Sequence, residues 1–89
     1  MIDLLAVPRR NPNSAYRIYD GQATIVLPDR AEVKVLNEIG SLVWDRIDGT
    51  RTVAQLVEAV VADFEVEPEQ ARRDVLSFLE TLNAQGMVT

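Results

Sequence analysis

Residues 36–49, Leu-Asn-Glu-Ile-Gly-Ser-Leu-Val-Trp-Asp-Arg-Ile-Asp-Gly, constrain the fold more than any other stretch of the chain. Leu36, Ile39, Val43 and Ile47 recur at helical spacing, with Leu42 and Trp44 on the flanks. Asn37 is a good N-cap, Glu38 suits the positive end of the helix dipole, and Gly49 ends the run. One amphipathic helix over about 37–47 follows. The segments before it read as strands and those after it as helices.

Tyr16-Arg17-Ile18-Tyr19 predicts a first strand and Gln22 to Leu27 a second. Asp20-Gly21 between them is the pair preferred in tight hairpins, where both turn positions take positive φ. Pro28-Asp29-Arg30-Ala31 is a turn. Glu32 to Leu36 alternates with period two, so Val33 and Val35 share one face and Glu32 and Lys34 the other. Such a meander leaves two edges with unpaired backbone groups. Thr52 and Gln55 form a capping box for a second helix over 53–64. Its apolar stripe is rich in valine, so packing must override propensity. A third helix runs from Pro68 to about Gln85, with Ala71, Val75, Phe78 and Leu82 on one face. Leu76 and Leu79 extend that face to one side, alongside Arg72 and Asn83. The other flank, Gln70, Asp74, Ser77 and Thr81, is polar. The lopsidedness predicts that the Leu76–Leu79 flank borders something apolar besides the core. Gly86 stops the helix, and Met87-Val88 can tuck back onto the core. Residues 1–15, with Pro8, Pro12 and two asparagines, read as an arm, either mobile or packed along the sheet. The expected domain is 16–89, of class α+β: a three-stranded antiparallel sheet followed by three helices.

With 89 residues there is one core and little room for an enclosed active site. The chain has no histidine and no cysteine, which removes Ser-His and Cys-His catalysis, thiolate and histidine metal sites, and disulfides. The carboxylates read as helix caps and solvated faces, so no catalytic residue, metal site or cofactor is expected. Gly40-Ser41-Leu42 looks superficially like the prosthetic-group serine of carrier proteins. That serine needs the start of a helix after a loop, whereas Ser41 lies inside one, where a small residue in a tight packing spot is the better reading. Trp44 suits a core or groove-lining role. The net charge of −5 is uneven. Residues 1–36 carry five basic and four acidic groups, residues 37–89 four basic and ten acidic. A sheet followed by three helices also admits a winged-helix DNA-binding regulator. Its reading helix must be basic, and here Arg72 and Arg73 sit among Glu67, Glu69, Asp74 and Glu80, so nucleic acid is disfavoured as a partner. No apolar run reaches membrane-spanning length and the N-terminus is a poor signal peptide, so the default location is cytoplasmic, with no membrane partner.

Val35-Leu36-Asn37-Glu38, Val43-Trp44, Asp48-Gly49-Thr50-Arg51-Thr52-Val53, Leu56, Phe64, Asp74-Val75, Phe78-Leu79, Leu82 and Gly86 together resemble the core pattern of the PqqD-like family. The similarity covers about residues 16–88. It implies a small winged helix-turn-helix domain acting as a RiPP recognition element, or peptide chaperone, for ribosomally made precursor peptides. The precursor's leader is expected to add as a strand beside the third strand, in a groove closed by the third helix. A partner enzyme, such as a radical-SAM protein or a peptidase or cyclase, then modifies the peptide. Carried over by position, the receiving strand is Glu32, Val33, Lys34 and Val35. Periodicity nominates Arg72, Leu76, Leu79 and Asn83 as the helix flank of the peptide-binding site. Members serving pyrroloquinoline quinone synthesis typically carry an Arg-Leu-Gln-Trp-Glu type strand and a Tyr-Pro-Glu-Gly turn. Here those regions read Tyr16-Arg17-Ile18-Tyr19-Asp20 and Leu27-Pro28-Asp29-Arg30, which points as readily to a lasso-peptide or other radical-SAM pathway. A monomer and a homodimer are both compatible with an open strand edge.

Overall fold

The computed structural model describes residues 2–27 and 31–89. Residues 28–30 of the expected Pro28–Ala31 turn lie outside the described residues. Three strands, β1 (Ala15–Tyr19), β2 (Gln22–Leu27) and β3 (Glu32–Val35), precede three helices, α1 (Glu38–Arg46), α2 (Val53–Phe64) and α3 (Pro68–Ala84). The sheet is antiparallel in the order β1-β2-β3. Asp20 and Gly21 both take positive φ, 52° and 77°, as a two-residue hairpin of right-handed twist requires.

β2 decides which sheet face becomes core. Ala23, Ile25 and Leu27 are buried and point toward the helices. Val33 pairs with Val26 and Val35 with Thr24, on the alternate residues. Both β3 valines therefore lie on the outer face, 65% and 63% exposed. Lys34, paired with Ile25, takes the inner face and is half-buried.

The helices begin where their caps stand. Asn37 Oδ1 accepts the Gly40 N–H at 2.8 Å. Thr52 Oγ1 accepts the Gln55 N–H, and the Gln55 side chain accepts the Thr52 N–H in return. Val53 and Val60 of α2 are buried. A valine costs a helix at most about 0.7 kcal/mol relative to alanine, whereas burying its side chain contributes about 1.5–3 kcal/mol, so packing wins. The core closes over Trp44, fully buried in α1, and Met87 and Val88 fold back onto it.

The arm takes a third course, neither free nor along the sheet. The carbonyls of Leu4 and Ala6 accept the N–H groups of Ala54 and Val53, covering orphan donors at the start of α2. Arg9 and Thr89 exchange backbone hydrogen bonds, and Arg10 bridges to Val88. The Arg10 guanidinium lies 4.8 Å above the Tyr16 ring, which meets Trp44 edge-on at 5.8 Å. The Tyr16 hydroxyl donates to Asp45 at 2.9 Å, completing a link between arm, β1 and α1.

The Asp48–Thr52 loop is held by its own first residue. Asp48 Oδ1 accepts from the Thr50 N–H and hydroxyl and the Arg51 N–H, and its other oxygen pairs with Arg51 at 2.9 Å. The Thr50 hydroxyl and amide, followed by Arg51, hold the carboxyl below its ordinary value of 3.8. A depressed folded-state pKa contributes stability above the unfolded value, and that contribution is lost as pH falls through the folded one. Asp48→Asn is expected to melt earlier than wild type at neutral pH, with the gap closing below pH 3.8. Melting curves across that range decide it. A gap that persists in acid would assign the loss to something other than the charge.

Candidate functional site

The site begins with what β3 leaves unpaired. The Leu36 N–H donates to the Ala23 carbonyl at 2.8 Å. The Ala23 N–H donates to the Ser41 hydroxyl at 2.6 Å, and that hydroxyl lies 3.3 Å from the Leu36 carbonyl, to which it donates. Ser41 thus takes the place of the next β3 acceptor and ends the ladder. It is the buried packing residue expected, only 2% exposed. Antiparallel strands alternate the direction of their polar groups. Leu36 and Lys34 therefore face β2, while Val33 and Val35 turn N–H and C=O away from the sheet. Among the described residues none of these outward groups has a backbone partner.

Two shallow clefts lie against α3, the first of them at this edge. One, about 230 Å³, is lined by Glu32, Val33, Lys34, Gln85 and Met87. The other, about 170 Å³, lies between α1 and α3 and is lined by Asn37, Ile39, Gly40, Val43, Asp74, Val75 and Phe78. Its wall depends on Gly40. A Cβ there would meet the Phe78 ring carbons at 3.3 Å and Asn37 Oδ1 at 3.2 Å, tighter than ordinary packing. The absent side chain lets Phe78 rest on the α1 backbone. The cleft has an apolar floor with Asp74 and Asn37 at its rim.

Glu32, Val33, Lys34 and Val35 are thus brought together at an open edge, but Arg72, Leu76, Leu79 and Asn83 are not brought to it. On a turn of 3.6 residues, those four form a stripe nearly opposite that of Asp74, Phe78 and Gln85. It is the latter stripe that lines the clefts. Leu79 is fully buried in the core, and Leu76 packs half-buried against it. Asn83 sits beside Ile2 of the arm. The apolar neighbour predicted for that flank is part of the chain itself: α3 packs chiefly on α2, and the arm reaches its far end. Asp74 belongs to the flank that reads as polar and Phe78 to the apolar face that reads as core, so the sequence nominates neither as lining a cleft. The signal that could have found them was Phe78, an aromatic bordering that flank.

Arg72 is ion-paired with Glu69, and Arg73 donates to Gln70 at 3.0 Å. The only cations of α3 are tied to neighbours one turn away, so the helix offers no basic reading face. Among the described residues no cluster of three or more carboxylates is placed to hold a metal ion, and no helix is long and apolar enough to cross a membrane.

Residues 23–88 match the family described as coenzyme PQQ synthesis protein D (PqqD). A PqqA binding protein of Xanthomonas euvesicatoria is 31% identical over 67 residues, 75% of this chain and 71% of that protein. The PqqA binding protein of Xanthomonas axonopodis is similar to the same extent. The fold superposes on a lasso peptide synthetase B1 complexed with the leader peptide, with TM-score 0.83, 23% identity, and coverage of 94% of this chain and 99% of that one. It also superposes on the PqqD truncation of Methylobacterium extorquens PqqCD, a RiPP recognition element, with TM-score 0.82, 19% identity, and coverage of 100% and 95%. The winged-helix-like order of three strands and three helices is common to them, and with about three-quarters of its length matched, the chain belongs to the PqqD family.

Proposed function

We propose that this chain is a non-catalytic recognition element that binds the leader of a ribosomally made precursor peptide and presents it to the enzyme that modifies the peptide. The observation that carries the reading is the open β3 edge, whose outward groups lie at Val33 and Val35 and whose residues Glu32 to Lys34 line a cleft with Gln85 and Met87 at the end of α3. Strand addition there supplies main-chain hydrogen bonds for register, and the cleft supplies side-chain selectivity. Successive residues of an added strand point to opposite faces. One set falls on the inner face with Lys34, toward the cleft it lines with Gln85 and Met87, and the other lies beside Val33 and Val35 on the outer face. Relatives that bind PqqA, and a structural neighbour holding a leader peptide, support the same reading.

The test is a titration of the isotope-labelled domain with the leader of the precursor encoded beside its gene. Binding is expected to move the amides of residues 32–36 together with Asp74 and Phe78. No binding at about tens of micromolar, near −6 to −7 kcal/mol, would overturn the reading. Phe78→Asp places a charge on the cleft wall and is expected to weaken leader affinity by about tenfold or more. A melting curve must accompany it, because the ring also packs on Gly40. Unchanged affinity in a folded variant would place the anchor elsewhere.

A further inference from the structure

The sheet has a second open edge that leader binding leaves free. β1 pairs only with β2, and among the described residues no other backbone group reaches it. Tyr19 and Gln22 close the two-residue hairpin, so Tyr19 and Arg17 face β2 and the N–H and C=O groups of Tyr16 and Ile18 point outward. Ile18 is 45% exposed, high for an isoleucine on the inner face of a sheet. Beneath it lies a groove of about 250 Å³ with an apolar floor of Ile18, Leu42 and Phe64 and a rim of Glu38 and Asp45. Asp45 has Arg46 at 3.6 Å, while among the described residues Glu38 has no ion-pair partner. Asp20, Asp63 and Glu65, all exposed, adjoin lining residues in sequence. The groove therefore joins three things: a free strand edge, an apolar floor and a negative surround.

We propose that β1 is a second strand-addition site, occupied by an extended segment of the modifying enzyme that carries an apolar residue flanked by lysine or arginine. The proposal rests on reading this domain as a peptide-presenting element. The apolar side chain enters between Ile18 and Phe64, the flanking cations face Glu38 and the surrounding carboxylates, and main-chain hydrogen bonds form with Tyr16 and Ile18. A second copy of this chain fits poorly. It would set the acidic rim against itself and, in the register centred on Arg17, oppose two arginines. The two edges then divide the work, β3 for the peptide and β1 for the enzyme, so both are held at once.

The experiment uses the isotope-labelled domain saturated with leader peptide, titrated with the unlabelled modifying enzyme encoded beside its gene. Signals of Tyr16, Ile18, Leu42 and Phe64 are expected to shift or broaden, while residues 32–36 stay at their peptide-bound positions. Ile18→Pro removes an outward donor that the fold does not use, a change edge strands tolerate. It is expected to weaken enzyme binding by about tenfold or more with leader affinity unchanged. Glu38→Lys is expected to weaken enzyme binding and reduce its salt dependence. The proposal is overturned if the enzyme does not bind, if it responds only at other faces, if it displaces the leader from β3, if Ile18→Pro binds it as wild type does, or if the chain dimerises through β1. Should the leader itself fail to bind, the function proposed above falls, and titration of the peptide-free domain with enzyme still decides the role of β1.

Discussion

Val35→Pro is expected to abolish leader binding while leaving the fold intact. The Val35 N–H points away from β2 and has no backbone partner among the described residues, so proline removes none of the hydrogen bonds that pair β3 with β2. Its preceding residue, Lys34, is already extended, which proline requires. An incoming strand loses one main-chain hydrogen bond, about 1 kcal/mol net, and keeps a carbonyl with no donor, about 1–3 kcal/mol more. Together that is about 30-fold to 1,000-fold in affinity, and the pyrrolidine ring also stands where the strand must approach. Calorimetry with the leader, beside a melting curve, measures both halves. A variant that binds within a factor of about three would mean that the peptide does not pair with β3. Val33 and Val35 provide the outward groups, so Lys34→Pro is the instructive contrast. It removes an N–H that faces β2, and is expected to destabilise the domain itself.

Ser41→Ala is expected to destabilise by about 1–3 kcal/mol, the cost of leaving a buried donor without its acceptor. The orphan is the Ala23 N–H, whose 2.6 Å bond to the Ser41 hydroxyl is buried. For a domain of this size each kcal/mol lowers the melting temperature by about 4–8 °C. Urea unfolding is expected to shift its midpoint with the slope unchanged, and the Ala23 amide should exchange faster than its neighbours. A midpoint within about 0.5 kcal/mol of wild type would show that the Ser41 hydroxyl is dispensable to the sheet.

Element boundaries were legible because they are written in local chemistry. Asn37, Thr52 and Gln55 are caps that bond their own helix, and Asp20-Gly21 is a turn that needs no distant partner. What was not legible depends on contacts between elements. Period two shows that Val33 and Val35 share a face, but the pairing with Val26 and Thr24 decides that this face is the outer one. The flank of α3 met the same limit. Leu76 and Leu79 read as bordering something apolar besides the core, yet Leu79 is core and Leu76 packs against it, with α2 and the arm on that side. The cleft lies across the helix, where Phe78 stands over Gly40. The edge half of the site follows from strand order, whereas the helix half follows from how α3 is rotated against the core, which its own sequence leaves open. The resemblance motif Asp48-Gly49-Thr50-Arg51-Thr52 is, in the structure, a loop clasp and a helix cap, some way along the chain from the edge it helps to identify.

β3 is only four residues long and ends where Ser41 intercepts the ladder, so it turns just two residues outward. Two residues offer four hydrogen-bonding groups, worth about 0.5–1.5 kcal/mol each. A ladder that brief sets the register of a guest without holding it for long. A side chain that fills the cleft beside Phe78 would add affinity to that of the ladder and lengthen the life of the complex through a slower dissociation. The domain would then behave as a clip with a short dwell time, tight enough to select a peptide and loose enough to let it go.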